Sequence, residues 1–298
     1  MIVIPGPASV ELGQKVGAVL KIKIVPVEFK RFPDGESYIR FEDATLIKDE
    51  DAVIVQTTSP PQNENLVQLF LMADNAKDMG AKSITAVVPY FAYARQDSRF
   101  RPGEALSVKT MVTLLKTCGV SRIITVNSHN PTILKTLPIS VEDLSAFSRL
   151  AEHFKKKGFE GAFSLSMGKK GMNTAEEANR VLKGGCDYIP TQRDRVTGNV
   201  TIEKKTLPVK NRDAIIFDDI ISSGGTMIKA VSWVKEQGAK RVYAACVHPL
   251  LIGDVKDKIL KAGADGVVGT DSVPSSVSEV SVAPLIAEAL KKRAVQRD

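Results

Sequence analysis

The stretch Ala214-Ile215-Ile216-Phe217-Asp218-Asp219-Ile220-Ile221-Ser222-Ser223-Gly224-Gly225-Thr226 carries the plainest chemistry in the chain. An apolar run ends in two carboxylates and passes into a short loop of hydroxyl residues and glycines that opens an amphipathic segment. In α/β sheets, ligands bind at that place. The backbone N–H groups of such a loop, added to the positive end of a helix dipole, form an anion cradle suited to a phosphate. Ser222, Ser223 and Thr226 add hydroxyl donors. Asp218 and Asp219 cannot hold the same phosphate, because like charges repel. They suit neutral donors such as sugar hydroxyls, or a magnesium ion. Together the two parts point to a sugar phosphate. A serine or threonine cap on a helix start accounts for some of the pattern, but two adjacent acids followed by Ser-Ser-Gly-Gly-Thr exceed what a cap requires. The stretch has neither the Gly-Lys-Ser/Thr of a P-loop nor the three-glycine spacing of a dinucleotide site.

Three further segments hold groups with possible chemistry. Asp34-Gly35-Glu36, inside Arg31 to Arg40, reads by itself as an acidic β-turn. In the stretch Pro89 to Ser107, Arg95 is able to fork onto phosphate oxygens while Gln96 reads neutral donors and acceptors. His129, in Val126-Asn127-Ser128-His129-Asn130-Pro131, stands alone, and a lone histidine is more often structural than a ligand.

Composition narrows the partners. A net charge of +7 favours anions. The basic residues are scattered, with Lys155-Lys156-Lys157 their longest run and no interleaved aromatics for stacking, so a phosphorylated small molecule is expected and nucleic acid is not. Three distant cysteines without C-x-x-C spacing read as reduced and structural. The start of the chain has no basic leader, and no apolar run is long enough to span a bilayer, so a cytoplasmic protein without membrane contact is expected.

The elements that must position these groups follow from periodicity. Short β-branched runs at Ala52 to Val55, Ile84 to Val88, Ile123 to Val126, Ala214 to Phe217, Val242 to Val247 and Val267 to Val268 alternate with amphipathic stretches. That pattern predicts an α/β fold with parallel sheets covered on both faces. Helices are expected from Asn63 to Met79, ended by Gly80, from about Thr226 to Glu236, closed by Gly238, and from Ser145 to Lys157. The phrases Met79-Gly80-Ala81-Lys82-Ser83-Ile84 and Gln237-Gly238-Ala239-Lys240-Arg241-Val242 read as an internal duplication of one helix–turn–strand unit. At 298 residues two domains are expected, 1–141 and 142–298, with the last helix packing on the first domain. Residues from about 189 to 206 read as a β-hairpin flap turning at Thr197-Gly198-Asn199, with Arg193, Arg195, Lys204 and Lys205 suited to closing over a polyanion.

The Asp218 to Thr226 stretch is similar to the phosphoribosyl diphosphate (PRPP) loop of type I phosphoribosyltransferases and of ribose-phosphate diphosphokinases. The Phe-Pro-Asp-Gly-Glu and Tyr-Ala-Arg-Gln-Asp segments of the first half resemble the diphosphokinases alone. This resemblance implies two tandem phosphoribosyltransferase-like domains, the first carrying ATP motifs and the second the PRPP loop and flap. It implies transfer of diphosphate from ATP to the 1-hydroxyl of ribose 5-phosphate with Mg2+, giving PRPP and AMP for nucleotide biosynthesis. Asp34, Gly35 and Glu36 would reach the adenine of a neighbouring subunit's ATP, and Arg95, Gln96 and Asp97 would line the nucleotide, which implies a homo-oligomer, a dimer or larger. His129 would help hold magnesium–ATP, and Arg193 would face the phosphates from the flap. Asp218 and Asp219 would take the ribose hydroxyls, and Ser222, Ser223, Gly224, Gly225 and Thr226 the 5-phosphate.

Three positions depart from that family pattern. Thr191 stands where the flap has a catalytic lysine, Gly168 stands where a metal-side aspartate is expected, with Lys169 and Lys170 after it, and Asn127 replaces an acid two residues before His129. These losses define a second reading, a paralogue of impaired activity that binds nucleotide or regulates an active homologue in a hetero-oligomer.

Overall fold

The computed structural model describes residues 1–99, 101–130, 133, 136–193, 200–203 and 205–295. The chain divides into two compact units, Met1–Leu144 with Ser281–Asp298, and Ser145–Val280.

The first unit opens with β1 (Ile2–Pro5) and α1 (Val10–Leu20), then a hairpin of β2 (Val27–Arg31) and β3 (Ser37–Phe41). It continues with β4 (Asp51–Val55), α2 (Gln62–Asp78), β5 (Ser83–Val88), α3 (Ser107–Thr117), β6 (Val120–Val126) and β7 (Ser140–Leu144). Its main sheet runs in the order β1-β4-β5-β6-β7 with every pair parallel. The strands are near-continuous apolar runs because helices cover both faces; Ala52, Val53, Ile54 and Val55 are all buried. Helix α2 turns Leu66, Leu69, Ala73 and Ala76 inward, as the spacing predicts.

The second unit holds α4 (Phe147–Lys156), β8 (Phe163–Met167), α5 (Met172–Leu182), β9 (Cys186–Ile189) and the paired strands β10 (Thr191–Arg193) and β11 (Val200–Ile202). Then come β12 (Asp213–Ile221), α6 (Gly225–Glu236), β13 (Arg241–Pro249), α7 (Val255–Lys261), β14 (Gly266–Thr270) and β15 (Ser278–Val280). The large sheet has the order β15-β14-β13-β12-β8-β9, again all parallel. The chain then returns to the first unit with α8 (Ala283–Val295), which packs on α1. There the buried Arg122 guanidinium donates to the Ala289 carbonyl at 3.3 Å. The 142–298 span set from sequence therefore meets a structure in which 142–144 belong to β7 and the chain from Ser281 lies with the first unit.

The flap strands β10 and β11 are antiparallel, with Thr191 opposite Ile202 and Arg193 opposite Val200. The expected turn Thr197-Gly198-Asn199, with Arg195 and Lys204, lies outside the described residues. The strand expected over Ala214 to Phe217 is longer than its apolar run. β12 runs to Ile221 because β13 stays paired with it as far as Pro249, so Asp218 and Asp219 lie inside the ladder.

The duplication is written in backbone geometry. Gly80 and Gly238 both take the left-handed region, at φ +82° and +83°. Asp49 N–H donates to the Gly80 carbonyl at 2.9 Å, and Asn211 N–H to the Gly238 carbonyl at 2.8 Å. Lys82 N–H reaches the Glu50 carbonyl and Lys240 N–H the Arg212 carbonyl, both at 2.8 Å. The unit β4–α2–β5 is thus repeated as β12–α6–β13, and Asp51-Ala-Val-Ile-Val answers to Asp213-Ala-Ile-Ile-Phe. The copies differ at the strand end. Where the second has Asp218-Asp219, the first has the buried Gln56-Thr57. Gln56 accepts from Ala8 N–H at 3.0 Å and donates to Gln68 at 3.0 Å, while Thr57 N–H donates to the Ser9 hydroxyl at 2.7 Å. Internal hydrogen bonds fill that place in the first copy, whereas in the second it carries two carboxylates.

Candidate active site

In the second unit, β12 lies between β13 and β8, with Asp218 paired to Cys246 and Phe217 to Ser166. The C-terminal ends of the three strands therefore share one edge. Asp218 and Asp219 are half-buried there, each holding a following N–H: Asp219 N–H to Asp218 Oδ1 at 3.0 Å, and Ile220 N–H to Asp219 Oδ1 at 2.9 Å. Burial, and then the Asp218 charge, push the Cys246 thiol beside them up.

The loop that follows is fixed by its backbone. Ile252 N–H donates to the Ser222 carbonyl at 3.1 Å. Gly224 sits at φ +72°, and a Cβ there would come within 2.4 Å of Val255 Cγ1, so no other residue fits without movement. Gly224 is also the N-cap of α6 and brings no side chain to cap with. The first N–H groups of a helix have no partner within it, and the first bond back across the start of α6 is Ile228 N–H to the Gly224 carbonyl at 2.9 Å. A hydroxyl-capped helix start is therefore not what this loop is. Among the described residues no side chain caps this helix start, and its first N–H groups with the Ser222, Ser223 and Thr226 side chains stand where an anion would bind.

Gly168 and Thr191 are neighbours. Gly168 follows β8 with φ +65° and ψ 162°, and its N–H donates to the Ile189 carbonyl at 2.8 Å. A Cβ built on Gly168 would lie 3.0 Å from Thr191 Oγ1. Lys169 and Lys170, both exposed, follow in a single turn of 3-10 helix that enters α5. Beneath that turn Ser166 is 1% exposed, with a hydroxyl that has no hydrogen-bond partner. Arg193 is placed in β10 by its backbone.

In the first unit, Asp34-Gly35-Glu36 forms the turn between β2 and β3. Asp34 Oδ1 accepts Glu36 N–H at 3.2 Å, and Gly35 takes φ +98°. Arg31 forms an ion pair with Glu64, tying this hairpin to α2. Arg95, Gln96 and Asp97 lie in the loop after β5, where Gln96 donates to the Ser98 carbonyl at 3.0 Å and Glu104 accepts Arg101 N–H at 3.2 Å. Asn130 donates to Asp97 Oδ2 at 2.6 Å, so this loop and the His129 turn are joined.

Sequence reasoning passed over Asp143 as part of a polar boundary. It sits on β7 opposite Thr125 and accepts the Ser128 N–H and hydroxyl, each at 2.9 Å. Burial pushes its carboxyl above the usual aspartate range, with the two Ser128 bonds opposing. No sequence signal marks it, since the pairing of β6 with β7 alone brings it there. Among the described residues no group of three or more His, Cys, Asp or Glu side chains is arranged to hold a metal by itself.

Two parallel sheets sharing one repeated strand–helix–strand unit, with a phosphate-type loop on the second copy alone, define a tandem protein of the phosphoribosyltransferase type. Residues 1–119 match the model of the N-terminal domain of ribose phosphate pyrophosphokinase, and residues 167–279 that of the phosphoribosyl transferase domain. The chain is 38% identical over 285 residues to a ribose-phosphate pyrophosphokinase of Methanothermobacter thermautotrophicus, covering 95% of this chain and 98% of that one. It is also 38% identical to that of Saccharolobus solfataricus, over 92% and 93% of the two chains. The crystal structure of phosphoribosylpyrophosphate synthetase from Mycobacterium smegmatis superposes with a TM-score of 0.85 at 28% identity, covering 99% and 98%. The chain belongs to the ribose-phosphate pyrophosphokinase family.

Proposed function

We propose that this protein transfers the diphosphate of ATP to the 1-hydroxyl of ribose 5-phosphate, releasing PRPP and AMP. The 1-oxygen bonds to the β-phosphorus, the bond from that phosphorus to the oxygen of the α-phosphate breaks, and the hydroxyl proton passes to solvent. The observation that carries the reading is the α6 N-terminus, open to an anion and directly behind Asp218-Asp219. Its N–H groups with Ser222, Ser223, Gly224, Gly225 and Thr226 hold the 5-phosphate, while the two carboxylates accept from the ribose hydroxyls.

Asp34, Gly35, Glu36, Arg95, Gln96 and Asp97 serve the nucleotide, and the exposure of the β2–β3 turn fits a role toward a second copy in a homo-oligomer. Arg193 is the flap residue offered to the phosphates, and Thr191 on the same strand adds no charge. Mg2+ keeps several waters and binds through one or two protein groups plus substrate phosphates, so sparse protein donors fit it. In the second unit Asp218 and Asp219 are the groups offered, and Gly168 offers no side chain. Bound there, the ion would neutralise charge on the phosphates. The altered Gly168, Thr191 and Asn127 are the features that favour a regulatory chain instead, whereas the relatives' names speak for catalysis. Incubation of the pure protein with ATP, Mg2+ and ribose 5-phosphate is expected to yield AMP; none above a control without enzyme would overturn the reading.

A further inference from the structure

Transfer of a diphosphate is catalysed mainly by positioning and by neutralising charge on the moving group. At the edge of the second sheet, such charge is not supplied by the acid pair or by Thr191. Asp218 and Asp219 are negative, and Thr191, at the start of the flap strand, is neutral.

Two exposed lysines follow directly on the contact between Gly168 and Thr191. Gly168 and Thr191 occupy one place, since a Cβ on the first would lie 3.0 Å from the hydroxyl of the second. Lys169 is the next residue, and Lys170 follows it. The Gly168 N–H bond to the Ile189 carbonyl fixes the start of this turn to the strand that leads into the flap. Phe217 pairs with Ser166, so the turn leaves the sheet one strand away from the acid pair. Both lysines are exposed, and neither forms an ion pair with a described carboxylate. The partnerless Ser166 hydroxyl, buried under the same turn, is a second polar group there without an internal role.

We propose that Lys169 and Lys170 supply the transferring diphosphate with the positive charge that Thr191 cannot give. The turn after β8 carries this charge one residue from the Gly168–Thr191 contact. This assignment rests on the PRPP-forming reading above.

The test is a crossed set of variants assayed for AMP formation: K169A, K170A, K169A/K170A, K169R/K170R and K169A/K170A/T191K. Losing preorganised charge of this kind costs roughly 10²-fold in rate, and K169A/K170A is expected to lose about that much in kcat. Its melting temperature and its KM for ribose 5-phosphate should hold, because the 5-phosphate cradle is a different loop. Inhibition by added inorganic diphosphate should weaken in parallel. K169R/K170R should keep most activity, and T191K should restore about tenfold of what the double alanine variant lost, since a cation would return to the same place by the other route. A double alanine variant within about twofold of an active wild type overturns this proposal alone, being far below the loss expected for such a donor. Wild-type protein that forms no AMP overturns the reading beneath it, and the proposal with it.

Discussion

Asp143 receives both donors of Ser128, the backbone N–H on Oδ1 and the hydroxyl on Oδ2, each at 2.9 Å. The turn that presents His129 is thereby fastened on one side to β7, and on the other to Asp97 through Asn130. Asp143→Ala leaves two donors unpaired and is expected to cost about 1–3 kcal/mol of stability. Asp143→Asn keeps an acceptor for the N–H and gives the hydroxyl a donor, so it should retain the turn.

The same pair predicts a pH dependence. Burial is the leading cause that raises the Asp143 carboxyl above its unfolded value. A raised group contributes stability that is fully present below the unfolded pKa and is lost as pH rises through the folded one. Asp143→Asn carries no such charge, so its stability relative to wild type should improve between about pH 4 and pH 7. Urea denaturation at the two pH values checks this, and a difference that does not change with pH would refute it.

Gly224 should tolerate no side chain. Gly224→Ala puts a Cβ against Val255 Cγ1 in a left-handed backbone position, and strain of that kind costs on the order of 1–3 kcal/mol. Melting temperature should fall, and calorimetry should show weaker binding of ribose 5-phosphate because the α6 N–H groups shift. Adding Val255→Ala removes the clash and leaves the strain, so recovery should be partial. Full recovery would show that φ at this position carries no cost.

Restoring an acid at Gly168 is a different matter from restoring a lysine at Thr191. Gly168 has φ +65° and ψ 162°, a region that essentially only glycine enters, so Gly168→Asp is expected to cost about 1–3 kcal/mol. Thr191 lies on an extended strand and places no such limit on a side chain. Thr191→Lys should fold as wild type does, while Gly168→Asp, alone or combined with it, should melt earlier. A combined variant as stable as wild type would mean that the turn after β8 adopts another backbone when given a side chain.

The parts of this molecule that sequence makes legible are those whose signal is local. Gly80 and Gly238 mark helix ends because only their φ fits, and the Asp218 to Thr226 loop declares itself by residue type alone. The strand alternation gives parallel sheets for the same reason: apolar runs buried on both faces have one arrangement. What stays hidden is long-range. Asp143 meets Ser128 only because β7 pairs with β6, and Gly168 meets Thr191 only because the strand between them returns beside β8. The packing of the last helix on the first unit is expected, but the contact that ties it there, Arg122 with the Ala289 carbonyl, is one that no period in the chain encodes.

The acid pair itself gives the most direct prediction. Asp218 and Asp219 each use Oδ1 to hold a following backbone N–H. Substitution by Asn keeps that carbonyl acceptor and the local strand, yet removes the charge that strengthens a bond from a ribose hydroxyl. Hydrogen bonds to a charged acceptor are worth about 1.5–3 kcal/mol, so each Asn variant should bind PRPP roughly 10- to 100-fold more weakly. Because β12 is paired with β13 at Asp218 and again at Ile220, melting temperature should change little. Calorimetry with PRPP and with inorganic phosphate separates the causes. Affinity for PRPP should fall, while the binding of phosphate alone, which meets only the α6 N-terminus, should hold or improve as the nearby negative charge is reduced. If the binding of phosphate and of PRPP weakens equally, the carboxylates shape the loop and do not touch the sugar.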